Sequence, residues 1–160
     1  MAEARDWQKL AGTLRELHRT LMERARRDYE SEHGEVLNPG QLLGLLTTDP
    51  SFDWLRSLSE LMVDIDMARD AEPAVMEELA TAIRPAVEHI LSSPDAKPAG
   101  SFAQRYWPYV QDDPHVARAH AAVKQAIASW PAPDKSDAAK RMSERERLAA
   151  ASRDRVRRGR

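Results

Sequence analysis

The chain has no cysteine. Disulfide staples, thiolate metal sites and a cysteine nucleophile are therefore all excluded. Glycine is scarce, and Gly12, Gly34, Gly40, Gly44, Gly100 and Gly159 fall in no phosphate-cradling pattern. No apolar run approaches the roughly 20 residues a helix needs to cross a bilayer. The opening stretch from Met1 to Trp7 lacks the charged-then-apolar order of a secretion signal. Together these absences predict a soluble, cytoplasmic protein. No motif for nucleophilic catalysis, no internal repeat and no low-complexity tract is visible, so nothing in the sequence speaks for an enzyme.

What the chain does have is proline in particular places. Asn38-Pro39, Asp49-Pro50, Glu72-Pro73, Ser93-Pro94 and Asp113-Pro114 each set a capping or acidic residue directly before a proline. Proline at the first helical position supplies the required φ and lacks an N–H that would have no partner there. Asp or Asn before it can accept a bond from the first free amides. These pairs divide the chain into helices. At 160 residues, with 42% hydrophobic and 31% charged residues, it can close one core without metals or disulfides.

Apolar spacing completes the division. Trp7, Leu10, Leu14, Leu17, Leu21, Ala25 and Tyr29 mark a first helix from about Glu3 to His33, with Gly34 as its stop signal. A short helix follows from Pro39 to Thr48. Its leucines (42, 43, 45 and 46) lie nearly all round it, which predicts a buried or wedged element. A third helix runs from Pro50 to about Asp70 on Trp54, Leu58, Leu61, Ile65 and Ala68. The fourth opens at Pro73 and carries Leu79, Ile83, Val87 and Leu91, with a kink or break expected near Ile83 because of Pro85. A short helix from Phe102 to Gln111, interrupted by Pro108, precedes a last one from Pro114 to about Trp130. The expected fold is all-α: a helical bundle of four longer helices plus two short ones, mostly antiparallel neighbours, over residues 1–133.

Charge separates the remainder. Residues 1–133 hold 14 Lys/Arg against 21 Asp/Glu, whereas residues 134–160 hold 10 against 5. An acidic body thus ends in a basic C-terminal tail, expected to be a flexible or solvated, partly helical segment.

Three places could carry a function. His18 and His120 both fall on or beside inward-facing stripes, and Glu60 and Asp64 border the third helix's stripe. Converging, they would give a nitrogen and oxygen set for a metal, or a haem or apolar-ligand site in the bundle. The alternative is an ordinary core histidine at each position. The Glu30-x-x-His33 pair alone matches half of a di-iron pattern and lacks a partner. No specific motif names a cofactor.

The second place is the aromatic segment, where Phe102, Arg105, Tyr106, Trp107 and Tyr109 form either a ligand or partner surface or a plug closing one end of the bundle. The third is the tail, in which Arg153, Arg155, Arg157, Arg158 and Arg160 could bind nucleic acid or another acidic partner through charge, although no aromatic residue is there to stack on bases. Docking of the tail on the acidic body is a further option. The function expected is protein–protein interaction or homo-oligomerisation, with cofactor binding and tail-mediated nucleic-acid binding as alternatives.

Overall fold

A computed structural model describes residues 6–93 and 102–130. The proline-rich connection at 94–101 and the tail at 134–160 lie outside the described residues. Six α-helices and one 3₁₀ segment account for nearly all of the rest: α1 (Trp7–His33), α2 (Pro39–Thr48), the 3₁₀ segment (Pro50–Leu55), α3 (Arg56–Arg69), α4 (Pro73–Leu91), α5 (Phe102–Asp112) and α6 (Pro114–Ala128). The fold is all-α, and no strand occurs among the described residues.

The capping chemistry sets the boundaries. Asp6 accepts the Lys9 N–H at the start of α1, and Gly34 ends that helix at φ 69°, its N–H bonded to the Glu30 carbonyl. That left-handed geometry is open to glycine without penalty. Asn38 and Gln41 form a reciprocal capping box at α2. Asp113 accepts the His115 N–H at α6. Glu72 makes no side-chain cap at α4, where Pro73 begins the helix without one.

The four longer helices form a ring. α1 packs against α3 and α6, and α4 packs against the same two, leaving α1 and α4 on the diagonal. Neighbours run antiparallel. The start of α1 meets the end of α6 through Trp7 and Trp130, whose rings are 4.8 Å apart, while Arg24 further along α1 reaches Asp113 at the start of α6. His18 meets Ser59 at the opening of α3, and Ala11 and Leu14 lie beside Met62 and Ile65 later in that helix. Inside the ring Leu10, Leu14, Leu17, Leu21, Leu58, Leu61, Ile65, Ile83, Val87, Val116 and Val123 are essentially sealed from solvent. Full burial of each is worth roughly 1.5–3 kcal/mol relative to exposure, which makes this seam the main source of stability. α5 and the 3₁₀ segment close one end, joined by Trp54 against Phe102 and Tyr109.

Several expectations change. The third helix is a 3₁₀ turn for its first six residues, with Asp49 capping Ser51, and becomes α-helical only at Arg56. Pro85 and Pro108 do not break their helices. Proline's fixed φ is itself helical, so each costs one backbone bond and some crowding, and Pro85 sits buried where packing offsets that cost. The last helix stops at Ala128, two residues before Trp130. The largest departure is α2, in which no residue is fully buried. It packs beside the 3₁₀ segment at the bundle's end, so Leu42, Leu45 and Leu46 touch the core from outside.

Candidate functional site

Two polar side chains meet inside the bundle where α5 packs on α6. Tyr106 is fully buried, and its hydroxyl lies 2.6 Å from Nδ1 of the buried His120 on α6. Burial lowers the His120 pKa, helped by the charge of Lys124. Burial also pushes the Tyr106 phenol well above its usual range. The two side chains share one hydrogen bond, whose donor is set by the imidazole tautomer. Trp107 meets the same imidazole edge-on at 5.8 Å.

A second cluster ties three helices together. Arg24 on α1 bonds Asp28 one turn on and Asp113 on α6, at 3.2 and 3.1 Å. Tyr109 of α5 donates its hydroxyl to Asp28 at 2.7 Å, and the Arg24 guanidinium lies 5.2 Å from the centre of the Tyr109 ring. Burial, then the bond to Asp28, push the Tyr109 phenol up to about 12. For Asp113 burial alone would raise the pKa, but the backbone N–H of His115 and the Arg24 guanidinium outweigh it and hold the carboxyl below its usual range. The α5 segment therefore packs its aromatic rings against the neighbouring elements to different depths. Tyr106 is buried, Phe102, Trp107 and Tyr109 are half-buried, and Arg105 alone of the five is exposed.

His18 sits apart from His120 in its bonding. Its Nε2 is 2.9 Å from Ser59 Oγ on α3, and burial lowers its pKa. Asp64 is buried on α3, whereas Glu60 is exposed. The structure brings His18 to a serine and His120 to a tyrosine. Among the described residues no three or more His, Asp and Glu side chains group to hold a metal ion. Glu30 bonds Arg26 and the Leu37 N–H instead, and His33 stacks on Tyr29 at 3.9 Å.

Two surface features complete the inventory. Between α1 and α6 lies an open cleft of about 480 Å³ with Thr20, Ala119 and Ala122 along it. Its rim mixes Arg19, Arg27, Arg118 and His115 with Glu16 and Glu23, so it favours neither charge strongly. Glu16 is held below the usual carboxylate range by Arg19, and Glu23 by Arg26.

The other feature is apolar. Leu43 on α2 is 65% exposed and Val36 just before it 86% exposed. From Val36 to Thr48 there is no charged residue at all. Sequence reasoning noticed the leucines of α2 and misjudged their surroundings; the absence of charge over the same stretch was the signal that could have found the patch. The arginines of the tail, Arg153 to Arg160, lie outside the described residues.

No described helix is long and apolar enough to cross a membrane. Comparison with family models, with curated proteins and with solved structures finds no match for this chain.

Proposed function

We propose that this bundle is a protein–protein interaction module that self-associates through α2. The observation that supports this is the uncharged, partly exposed surface from Val36 to Thr48, with Leu43 at its most exposed point. The body carries a net negative charge, so two copies repel one another where their acidic surfaces face. At α2 they do not, because that stretch carries no charge. An uncharged patch also loses little hydration when covered, whereas burying charged groups is costly unless they are paired. Gly44 adds to this. A side chain there would meet nothing within 4 Å, so a neighbouring backbone could come close.

The association expected is weak, since one ten-residue helix offers less area than a stable dimer interface requires. Sedimentation velocity over a range of concentrations tests it. The wild-type chain should shift from monomer to dimer as concentration rises, and Leu43→Asp should stay monomeric with an unchanged far-UV circular dichroism spectrum. A wild-type chain that remains monomeric at high micromolar concentration overturns self-association. A dimer that persists in Leu43→Asp moves the interface away from α2.

A further inference from the structure

The acidity of the body is concentrated in one place. Residues 49–93 carry ten Asp/Glu against three Lys/Arg, a net of −7, equal to the net charge of the whole of residues 1–133. By contrast α1 with its cap, residues 6–33, is balanced at six against six, and residues 102–130 carry three basic against two acidic side chains. The negative field of the body is therefore centred on the 3₁₀ segment, α3, α4 and their short connection. Three ion pairs lie along it: Asp53 with Arg56, Asp66 with Arg69 and Glu88 with Arg84. Glu60, Asp70, Glu72 and Glu78 are exposed and form no ion pair among the described residues. The same hairpin exposes Val63 and Val75, at 50% and 41%, so its outer surface combines charge with apolar contact area.

The geometry at the end of α6 sets what lies beside this surface. Arg84 on α4 donates to the Trp130 carbonyl, and the last turn of α6 lines a groove with Arg84 and Glu88. α6 thus ends beside Arg84. The part of α4 before it, from Pro73 to Ile83, runs roughly 15 Å further at the helical rise per residue, with no α6 alongside. The chain leaves Trp130 at the end of the bundle that holds the α3–α4 connection. Residues 131–133 span at most about 10 Å, so residue 134 starts within reach of this flank. Residues 134–160 have a net charge of +5 and include Met142, Leu148 and Val156. Twenty-seven residues are long enough, helical or extended, to follow either helix of the hairpin from end to end.

We infer that the outer surface of the α3–α4 hairpin is the docking site for the chain's own basic segment, residues 134–160. The ten cationic side chains of that segment meet the surface on which the body's negative charge is concentrated, and its larger apolar residues, Met142, Leu148 and Val156, meet Val63 and Val75. Docking in this way holds the arginines of the terminus against carboxylates. A polyanion such as single-stranded nucleic acid then has to displace the segment before it can use them, which makes the hairpin a built-in competitor.

The test uses the full-length chain. With no native cysteine, Ser152→Cys gives a single attachment point for a nitroxide spin label, and amide signals report which helices it approaches. Signals from Asp66 to Glu78 should lose intensity, those of α2 should keep theirs, and the loss should be reversed in about 0.5 M salt, where screening is within a few Å. The paired variant Glu72→Lys with Glu78→Lys, both exposed, should abolish the loss while leaving the circular dichroism spectrum unchanged. Moving the label to Ala151→Cys guards against a perturbing attachment. Undisturbed α3–α4 signals at both label positions overturn the proposal, as does a loss spread evenly over all helices. Mixing isotope-labelled chain without nitroxide and nitroxide-bearing chain without isotope separates copies. Losses seen in that mixture at equal strength place the segment on a second molecule and overturn docking on its own body.

Discussion

The Tyr106 hydroxyl and the His120 imidazole meet 2.6 Å apart inside the bundle, joining α5 to α6 where neither side chain is more than marginally exposed. Replacing Tyr106 by Phe removes the hydroxyl and leaves Nδ1 buried without its partner. A loss of about 1–3 kcal/mol is expected, the usual cost of an unmet buried polar group. Urea unfolding of Tyr106→Phe against wild type measures it. A change below about 0.5 kcal/mol would show that the bond contributes little.

The same imidazole links stability to pH. His18 and His120 both have pKa values lowered from the ordinary 6.5, chiefly by burial. The unfolded chain therefore binds protons more readily than the folded one below that value. Stability from these groups is fully present above pH 6.5 and falls as pH drops through the lowered values. Denaturation midpoints measured from pH 7.5 to 5 should decline, and His120→Gln should make the decline shallower. An unchanged slope in that variant would assign the dependence elsewhere.

Ion pairs on this molecule should differ sharply in worth. Arg24→Ala leaves Asp113 at 5% side-chain exposure without its closest cation and removes the contact with Tyr109. A cost of about 2 kcal/mol is expected, below that of a fully buried pair because Arg24 is itself partly exposed. Arg19→Ala breaks an exposed pair with Glu16 and should cost no more than about 0.5 kcal/mol. Equal effects from the two variants in chemical unfolding would contradict the burial difference.

The glycines give opposite predictions. Gly34 sits at φ 69°, so Gly34→Ala should destabilise by about 1 kcal/mol through backbone strain. Gly44 lies inside α2 with open space around it, so Gly44→Ala should stabilise the monomer by about 0.5–1 kcal/mol through helix propensity. If close approach at α2 supports self-association, that same variant should weaken the dimer. Thermal melts and sedimentation, run on both variants, read the two effects separately.

Leucine positions separate core from surface. Leu14→Ala empties a site with no solvent exposure and should cost about 2–5 kcal/mol. Leu43→Ala, at 65% exposure, should leave monomer stability within about 0.5 kcal/mol of wild type. A large loss at Leu43 in dilute solution would mean that α2 packs more tightly than its exposure indicates.

Local signals carried the helix boundaries well. Asn38, Asp49 and Asp113 each cap the segment that their following proline begins, and Gly34 ends α1 in the geometry expected of it. These are interactions between residues two to four apart, and such spacing is visible in a linear chain. The seven-residue rhythm of Leu10, Leu14, Leu17 and Leu21 likewise named a buried stripe before any partner was known. The 3₁₀ turn at Pro50 escaped notice because its apolar spacing, Phe52 to Leu55, is compatible with either helix type.

The candidate sites were less legible. His18 and His120 read as equivalent, both facing inward, yet one pairs with Ser59 and the other with Tyr106. A stripe tells that a side chain points toward a core and leaves open which helix stands opposite. The aromatic segment could be a plug or a surface on its sequence alone. Only the tertiary structure shows how its rings pack, with Tyr109 bonded to Asp28 some 81 residues earlier.

What the amino-acid sequence by itself determined is the set of helices, their ends and the acidic and basic halves, because capping, proline geometry and periodicity act over a few residues. What only the tertiary structure decided is which faces meet. The placement of α2 at the bundle's end turned four leucines expected in the interior into a partly open surface. The ring order of α1, α3, α4 and α6 set the end of α6 beside α4, next to the acidic stretch. Both outcomes depend on packing between residues far apart in the chain, where the free energy of burying one surface competes with that of burying another.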